Sequence, residues 1–179
     1  YIRAEFDTSV FPQGLPVFSA IVQGRKIDDP RNTNQAEFTS NAALCLMDYL
    51  ESDFGLGVDG TEINRTIFAA AANVCDENVA LSAGGTEKRY TVNGSFVTSL
   101  PPDDVITDLT ASMAGTIFYT QGQWGVKAGE FTSSVLTLTE DDLRSNLQVN
   151  TRHSRRDNFN SVTGMFAGPE TDYQPTDFP

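Results

Sequence analysis

The one histidine of the chain, His153, sits in the run TRHSRRDNF, beside Ser154 and close to Asp157. Serine, histidine and a carboxylate are the parts of an acyl-transfer triad. That chemistry needs the imidazole held by the carboxylate and within hydrogen-bond reach of the nucleophile. Neighbours along a strand do not create this geometry, and no nucleophile-elbow sequence accompanies them. His153 is therefore read as non-catalytic. A zinc site needs three or four Cys, His or carboxylate ligands at close spacing. One His and two separated cysteines, Cys45 and Cys75, do not meet that requirement. Each cysteine lies in an apolar, helical stretch, and with no secretion signal they read as buried thiols rather than a disulfide. Acidic groups cluster at Asp28 and Asp29, Asp76 and Glu77, Asp103 and Asp104, and Glu140, Asp141 and Asp142. Each group falls at a turn or helix end, where capping explains it better than a glycosidase pair or a calcium loop. Gly84 and Gly85 lack the Lys and Ser/Thr that a phosphate loop requires. The expectation is no catalytic residue, no cofactor and no metal.

One charge anomaly remains. Arg152, Arg155 and Arg156 gather within five residues of an otherwise acidic chain. The planar guanidinium fork suits a partner's carboxylates, and subunit interfaces are enriched in arginine, so these three are candidate interface residues. Pairing with nearby acidic turns of the same chain explains them equally well.

The 179 residues carry a net charge of −12, are 39% hydrophobic and 20% charged. That composition suits a folded, soluble chain of one domain or two small ones. Non-specific nucleic-acid binding is disfavoured, because it needs clustered Lys and Arg to displace counterions. Acidity reads first as solubility; it would also keep a nearby DNA strand from sticking. No apolar run approaches membrane-spanning length. The start at Tyr1 shows no signal sequence and reads as part of something longer.

The elements that would position these groups follow from periodicity. Residues 88–129 read as the organising unit of strand, helix and hairpin. Tyr90, Val92 and Phe96 share one parity, as in a half-buried strand. Pro101 and Pro102 set a helix start, Asp103 and Asp104 suit its positive end, and Val105, Ile106, Leu109 and Met113 form one stripe. Gly115 is expected to close that helix in the left-handed region. A hairpin follows, with its turn at Gln121 and Gly122. Upstream, residues 17–22 read as a strong strand and 31–37 as an exposed loop. Asn41 caps a helix that ends near Ser52, with Leu44, Met47, Tyr49 and Leu50 on its apolar side. A second helix spans 67–77, and its alanines at 69–72 allow close packing. Residues 81–86 read as a flexible connector. Thr139 and Asp142 resemble a helix-capping pair. Alternation returns at 147–166, and residues 169–179, with three prolines, read as a loop or linker. The fold class expected is α+β: a small antiparallel sheet with packed helices, inserted between β segments of a barrel-like domain. The boundaries are 1–33 for the first β segment, 34–146 for the inserted domain, and 147–179 for the returning β segment and linker. The simplest packing pairs residues 17–27 with 147–166.

A further reading rests on resemblance. VFPQGLPVFSAIVQGRKIDDPR, NAALCLMDYLESDFGLG, IFAAAANVCDE, KRYTVNG, SMAGTIFYTQGQWGVKAG, LTLTEDDL, SRRDNFNSV and YQPTDFP follow one another along nearly the whole chain. Together they resemble the phage tail-tip hub family, the host-specificity or tip attachment protein J type of lambda-like siphophages and prophages. The resemblance implies a structural role without catalysis. It implies a homotrimer in the full-length protein that caps the tail tube, meets other tail-tip proteins, and opens for DNA to pass without specific binding. It implies barrel-like hub domains with an α+β insertion, and a place in the virion tail after assembly in the bacterial cytoplasm. One departure is the segment 35–40, where a tryptophan is expected and Phe38 stands instead. Two rivals are carried. One is a carbohydrate- or receptor-binding module of a tail fibre, using Tyr119, Trp124 and Tyr173. The other is a cell-wall hydrolase, which the shortage of His and Cys disfavours.

Overall fold

A computed structural model describes residues 9, 20–32, 36–81, 84–146, 148–149, 151 and 159–177. The chain divides into two compact units, Gln23–Ser133 and Tyr1–Val22 with Ser134–Pro179. The described residues form a mixed α and β structure of three α-helices and four antiparallel two-stranded sheets, with no closed barrel among them. No described helix is long and apolar enough to cross a membrane.

The Gln23–Ser133 unit is built around α1, Ala42–Glu51. Ala42, Ala43, Leu44, Leu46, Met47, Tyr49 and Leu50 are all buried. Burial on every side, rather than along one stripe, marks a helix at the centre of a core. The centre is thus α1 and not the 88–129 stretch. Asn41 caps it as expected. α2, Arg65–Cys75, packs on it through Phe68, Ala71, Ala72 and Cys75, with Asn64 as its cap. This helix starts and stops earlier than 67–77, because Asn64 accepts from the Ile67 amide at 3.1 Å and the Asp76 amide closes on Ala72. α3, Pro102–Ala111, adds Val105 and Ile106, followed by the buried Met113.

The stretch 90–96 is not a ladder strand. Its backbone serves helix ends instead. The amides of Arg89 and Tyr90 donate to the carbonyls of Glu77 and Cys75 at 2.8 and 3.2 Å, and the Val92 amide donates to Ser40 at 2.8 Å. These bonds satisfy groups that the end of α2 leaves open. Tyr90 and Val92 still pack on the core, so the parity was informative and the element type was not.

Short ladders fill the rest. β1 (Lys26–Ile27) pairs with β2 (Glu37–Phe38), and β3 (Asn78–Ala80) with β4 (Thr86–Lys88). Among the described residues of the expected connector at 81–86, the Leu81 amide donates to the Gly85 carbonyl at 3.1 Å and Thr86 already opens β4. β5 (Thr116–Thr120) pairs with β6 (Gln123–Lys127) around Gln121 and Gly122, both at positive φ, as a two-residue turn demands. After α3, Ala114 holds the left-handed conformation at φ 46°, in place of Gly115. The Gly115 amide closes the helix on Thr110 at 2.9 Å. Glycine is needed there for space, since a Cβ would lie 2.7 Å from the Lys127 carbonyl oxygen.

In the second unit, Thr139 and Asp142 bracket a 3-10 turn, Glu140–Asp142, with the Thr139 amide donating to the Asp142 carboxylate at 2.9 Å. β7 (Met165–Ala167) pairs with β8 (Pro175–Asp177) across a second 3-10 turn, Pro169–Thr171. The tail expected as a loop is thus half of a hairpin. Pro175 is tolerated because a two-stranded ribbon is all edge. Residues 20–22 and 159–164 form no strand, and among the described residues no ladder joins 17–27 to 147–166.

Candidate functional site

Arg152, Arg155, Arg156, His153, Ser154 and Asp157 lie outside the described residues. The arginines that organise the described structure are others: Arg25, Arg31 and Arg65. Arg31 is paired with Asp29 at 2.8 Å and Asp76 at 2.9 Å, and it donates to the Asn73 side chain at 3.1 Å. It thereby fastens the turn after β1 to the end of α2. Arg65 is paired with Glu51 at 2.6 Å and Asp28 at 3.0 Å. Arg25 donates to the Ser52 hydroxyl at 3.1 Å, approaches Asp48 at 3.5 Å and lies 5.3 Å from the centre of the Phe54 ring.

These pairs have an electrostatic logic. Arg65 opens α2, where the helix dipole disfavours a cation, and Glu51 ends α1, where it disfavours an anion. Asp76 ends α2 with the same mismatch, and Arg31 and Lys88 both reach it. Each ill-placed charge is matched with its opposite on another element. Asp28, Asp76 and Glu77 thus accept ion pairs from other elements, whereas Asp29 pairs within its own turn, its carboxylate accepting from both the side chain and the backbone amide of Arg31. The dipole mismatch of Arg65 and Asp76 was the signal in the sequence that could have found them.

The titration behaviour agrees. Arg31, bonded to Asp29, holds that carboxyl below the usual carboxylate range. Burial pushes Asp48 up, with Arg25 acting against it. Cys45 and Cys75 are free thiols. Burial, with the nearby charges of Asp48 and Cys75, pushes Cys45 up to about 11. Burial also raises Cys75. A thiol so raised is protonated and inert near neutral pH.

Two shallow hollows are present. One, of about 260 Å³, is mostly apolar and lies between α2 and the β5–β6 hairpin, where Ile67, Ala70, Val74, Phe118 and Val126 line it together with Lys127 and Glu130. The other, of about 230 Å³, adjoins β1 and β2 and includes Asp29, Glu37 and Phe38. Phe38 is 42% exposed, so it does not occupy a buried aromatic pocket. No group of three His, Cys, Asp or Glu among the described residues could hold a metal.

The aromatic residues divide into two groups. Tyr49, Phe54 and Phe96 pack together, Tyr49 edge-on to Phe96 at 5.3 Å. Tyr119 meets Trp124 at 5.1 Å with ring planes 59° apart, and Trp124 packs against the core. Tyr173 is half-buried in the other unit. Compared with models of known protein families the chain matches none, and no curated protein is significantly similar to it.

Proposed function

We propose that the chain is a non-catalytic structural module of a bacteriophage tail tip, part of the hub at the end of the tail tube. In this reading residues 34–146 belong to the α+β insertion, and residues 1–33 and 147–179 belong to a barrel-like hub domain. The observation that carries it is the ordered series of segments, from residues 10–31 through 173–179, that resembles the tail-tip hub family. The ion pairs support it: the arginines of the helical unit join one element to another, which stiffens a scaffold. A net charge of −12 suits a surface past which DNA slides without being held. The partners are further copies, as a homotrimer in the full-length protein, and other tail-tip proteins; the location is the virion tail.

The test is immunogold electron microscopy, with antibody raised against this chain, on particles purified from the source. Label at the tail tip is the expected result. Label on heads or fibres only, or particles free of the protein, rejects the proposal. The rival carbohydrate-binding reading would rest on Tyr119, which is 54% exposed, since Trp124 packs partly against the core. Specific binding on a glycan array would revive it.

A further inference from the structure

Of the asparagines in this chain only Asn93 is followed by glycine, in the run TVNGSF. The backbone nitrogen after an asparagine can close a succinimide ring on the side-chain carbonyl carbon. A Cβ on the following residue crowds that closure, and glycine has none. Closure also needs a side chain and an amide that are not held in hydrogen bonds, and room for the backbone to turn.

These conditions meet at Asn93. Asn93 and Gly94 are both exposed, and residues 92–97 form neither helix nor strand. Neither the Asn93 carboxamide nor the Gly94 amide makes a hydrogen bond among the described residues. A Cβ built on Gly94 would meet nothing within 4 Å. The peptide lies between two anchors. On one side the Val92 amide donates to Ser40 at 2.8 Å, and on the other the Phe96 ring meets Tyr49 at 5.3 Å. Other asparagines are engaged. Asn41 and Asn64 cap helices through their side chains, and Asn73 accepts from Arg31 at 3.1 Å. Asp59 is the one aspartate followed by glycine. It offers the same ring closure in sequence but not in structure: its carboxylate accepts from the Thr61 amide and hydroxyl at 2.9 and 2.6 Å, and Gly60 is fixed in a 3-10 turn.

We propose that Asn93 is a site of spontaneous covalent modification, deamidating through a succinimide to isoaspartate and aspartate. The Gly94 nitrogen gives its proton to hydroxide and attacks Cγ of Asn93. The new C–N bond closes the ring, the bond from Cγ to the side-chain nitrogen breaks, and that nitrogen takes a proton from water and leaves as ammonia. Water then adds to either ring carbonyl. Opening at the side-chain carbonyl gives aspartate, and opening at the backbone carbonyl gives isoaspartate. Nothing is oxidised or reduced. Either product adds a negative charge to a chain already at −12. Isoaspartate also routes the main chain through the former side chain, which lengthens the path between the Val92 and Phe96 anchors and loosens the seat of Phe96 on Tyr49 and Phe54. This inference does not depend on the tail-tip reading.

Incubation of the folded 179-residue chain at mildly alkaline pH, below its melting temperature, followed by peptide mass mapping, tests it. The expected result is that the peptide carrying Asn93 gains the mass difference between an amide and an acid before any other asparagine peptide does. Two products should separate, one of them labelled by an isoaspartyl methyltransferase, and the rate should climb with pH. Gly94 lies outside the left-handed region and has open space around it, so Gly94→Ala should melt as the parent does while conversion slows roughly tenfold or more. An Asn93 that outlasts the other asparagines of the folded chain overturns the proposal. So does a Gly94→Ala variant that converts as fast as the parent.

Discussion

The side-chain amide of Asn41 donates to the carbonyl of Ala72 at 2.9 Å, while its oxygen accepts from the amides of Ala43 and Leu44 at 3.1 and 3.3 Å. One buried residue closes the start of α1 and fastens it to α2. Asn41→Ala would break all three bonds in a dry site and should cost about 2–4 kcal/mol. Asn41→Asp keeps the cap but turns an oxygen toward the Ala72 carbonyl, so it should cost nearly as much. Urea unfolding of both variants is the measurement, and a loss below about 1 kcal/mol in the alanine variant would contradict the assignment.

Arg31→Met should remove about 1 kcal/mol at neutral pH, the size of a partly exposed, hydrogen-bonded pair. Its pH signature is more specific. Asp29 is held below its ordinary range in the folded state. Its contribution is therefore complete above the unfolded aspartate value of about 3.9 and is lost as pH falls through the lower folded value. Thermal melts across the acid range should show a flatter decline in the variant than in the parent.

Asp48 behaves in the opposite sense. Burial raises its carboxyl, so the folded chain binds its proton more readily than the unfolded chain does. This group disfavours folding at neutral pH and ceases to do so as pH drops below its unfolded value. Asp48→Asn should raise the melting temperature at neutral pH, with the gain fading toward about pH 4. A gain that grew with acidity would reverse the assigned direction.

A Cβ on Gly125 would lie 2.7 Å from the Phe118 ring. Gly125→Ala should cost about 1–3 kcal/mol by overpacking. Paired with Phe118→Leu, which vacates the ring, much of that cost should vanish. Denaturant midpoints for the two single variants and the double variant would expose the coupling, and simple additivity would deny it.

Cys45, raised to about 11, should react slowly with an aromatic disulfide reagent near neutral pH. Its labelling rate should climb with pH until the chain unfolds. Rapid labelling at neutral pH would mean that the thiol is neither buried nor raised.

Helix caps were the most legible part of the sequence. Asn41, Pro102 and the Thr139–Asp142 pair all stand at helix or turn starts, because capping is decided within three or four residues. The β5–β6 hairpin was legible for the same reason. Residues 90–96 were misread because alternation reports which side chains are inward, not what the backbone bonds to. Its partners, Ser40 and Cys75, are distant in sequence. The dominance of α1 was hidden too, since Ala42 and Ala43 look neutral in a pattern and only packing shows them fully buried. The arginine network was not legible because Arg25, Arg31 and Arg65 are dispersed singly and most of their partners lie far away in sequence.

Residues 89–92 reach the end of α2 and the lead-in to α1, and the Tyr90 hydroxyl donates to the Gly129 carbonyl at 2.7 Å. Three remote parts of the Gln23–Ser133 unit are thus stitched at one seam. Such a body has no smaller piece that can survive by itself. Limited proteolysis should leave it whole or destroy it, and shortening it from either side past that seam should abolish the remainder rather than trim it.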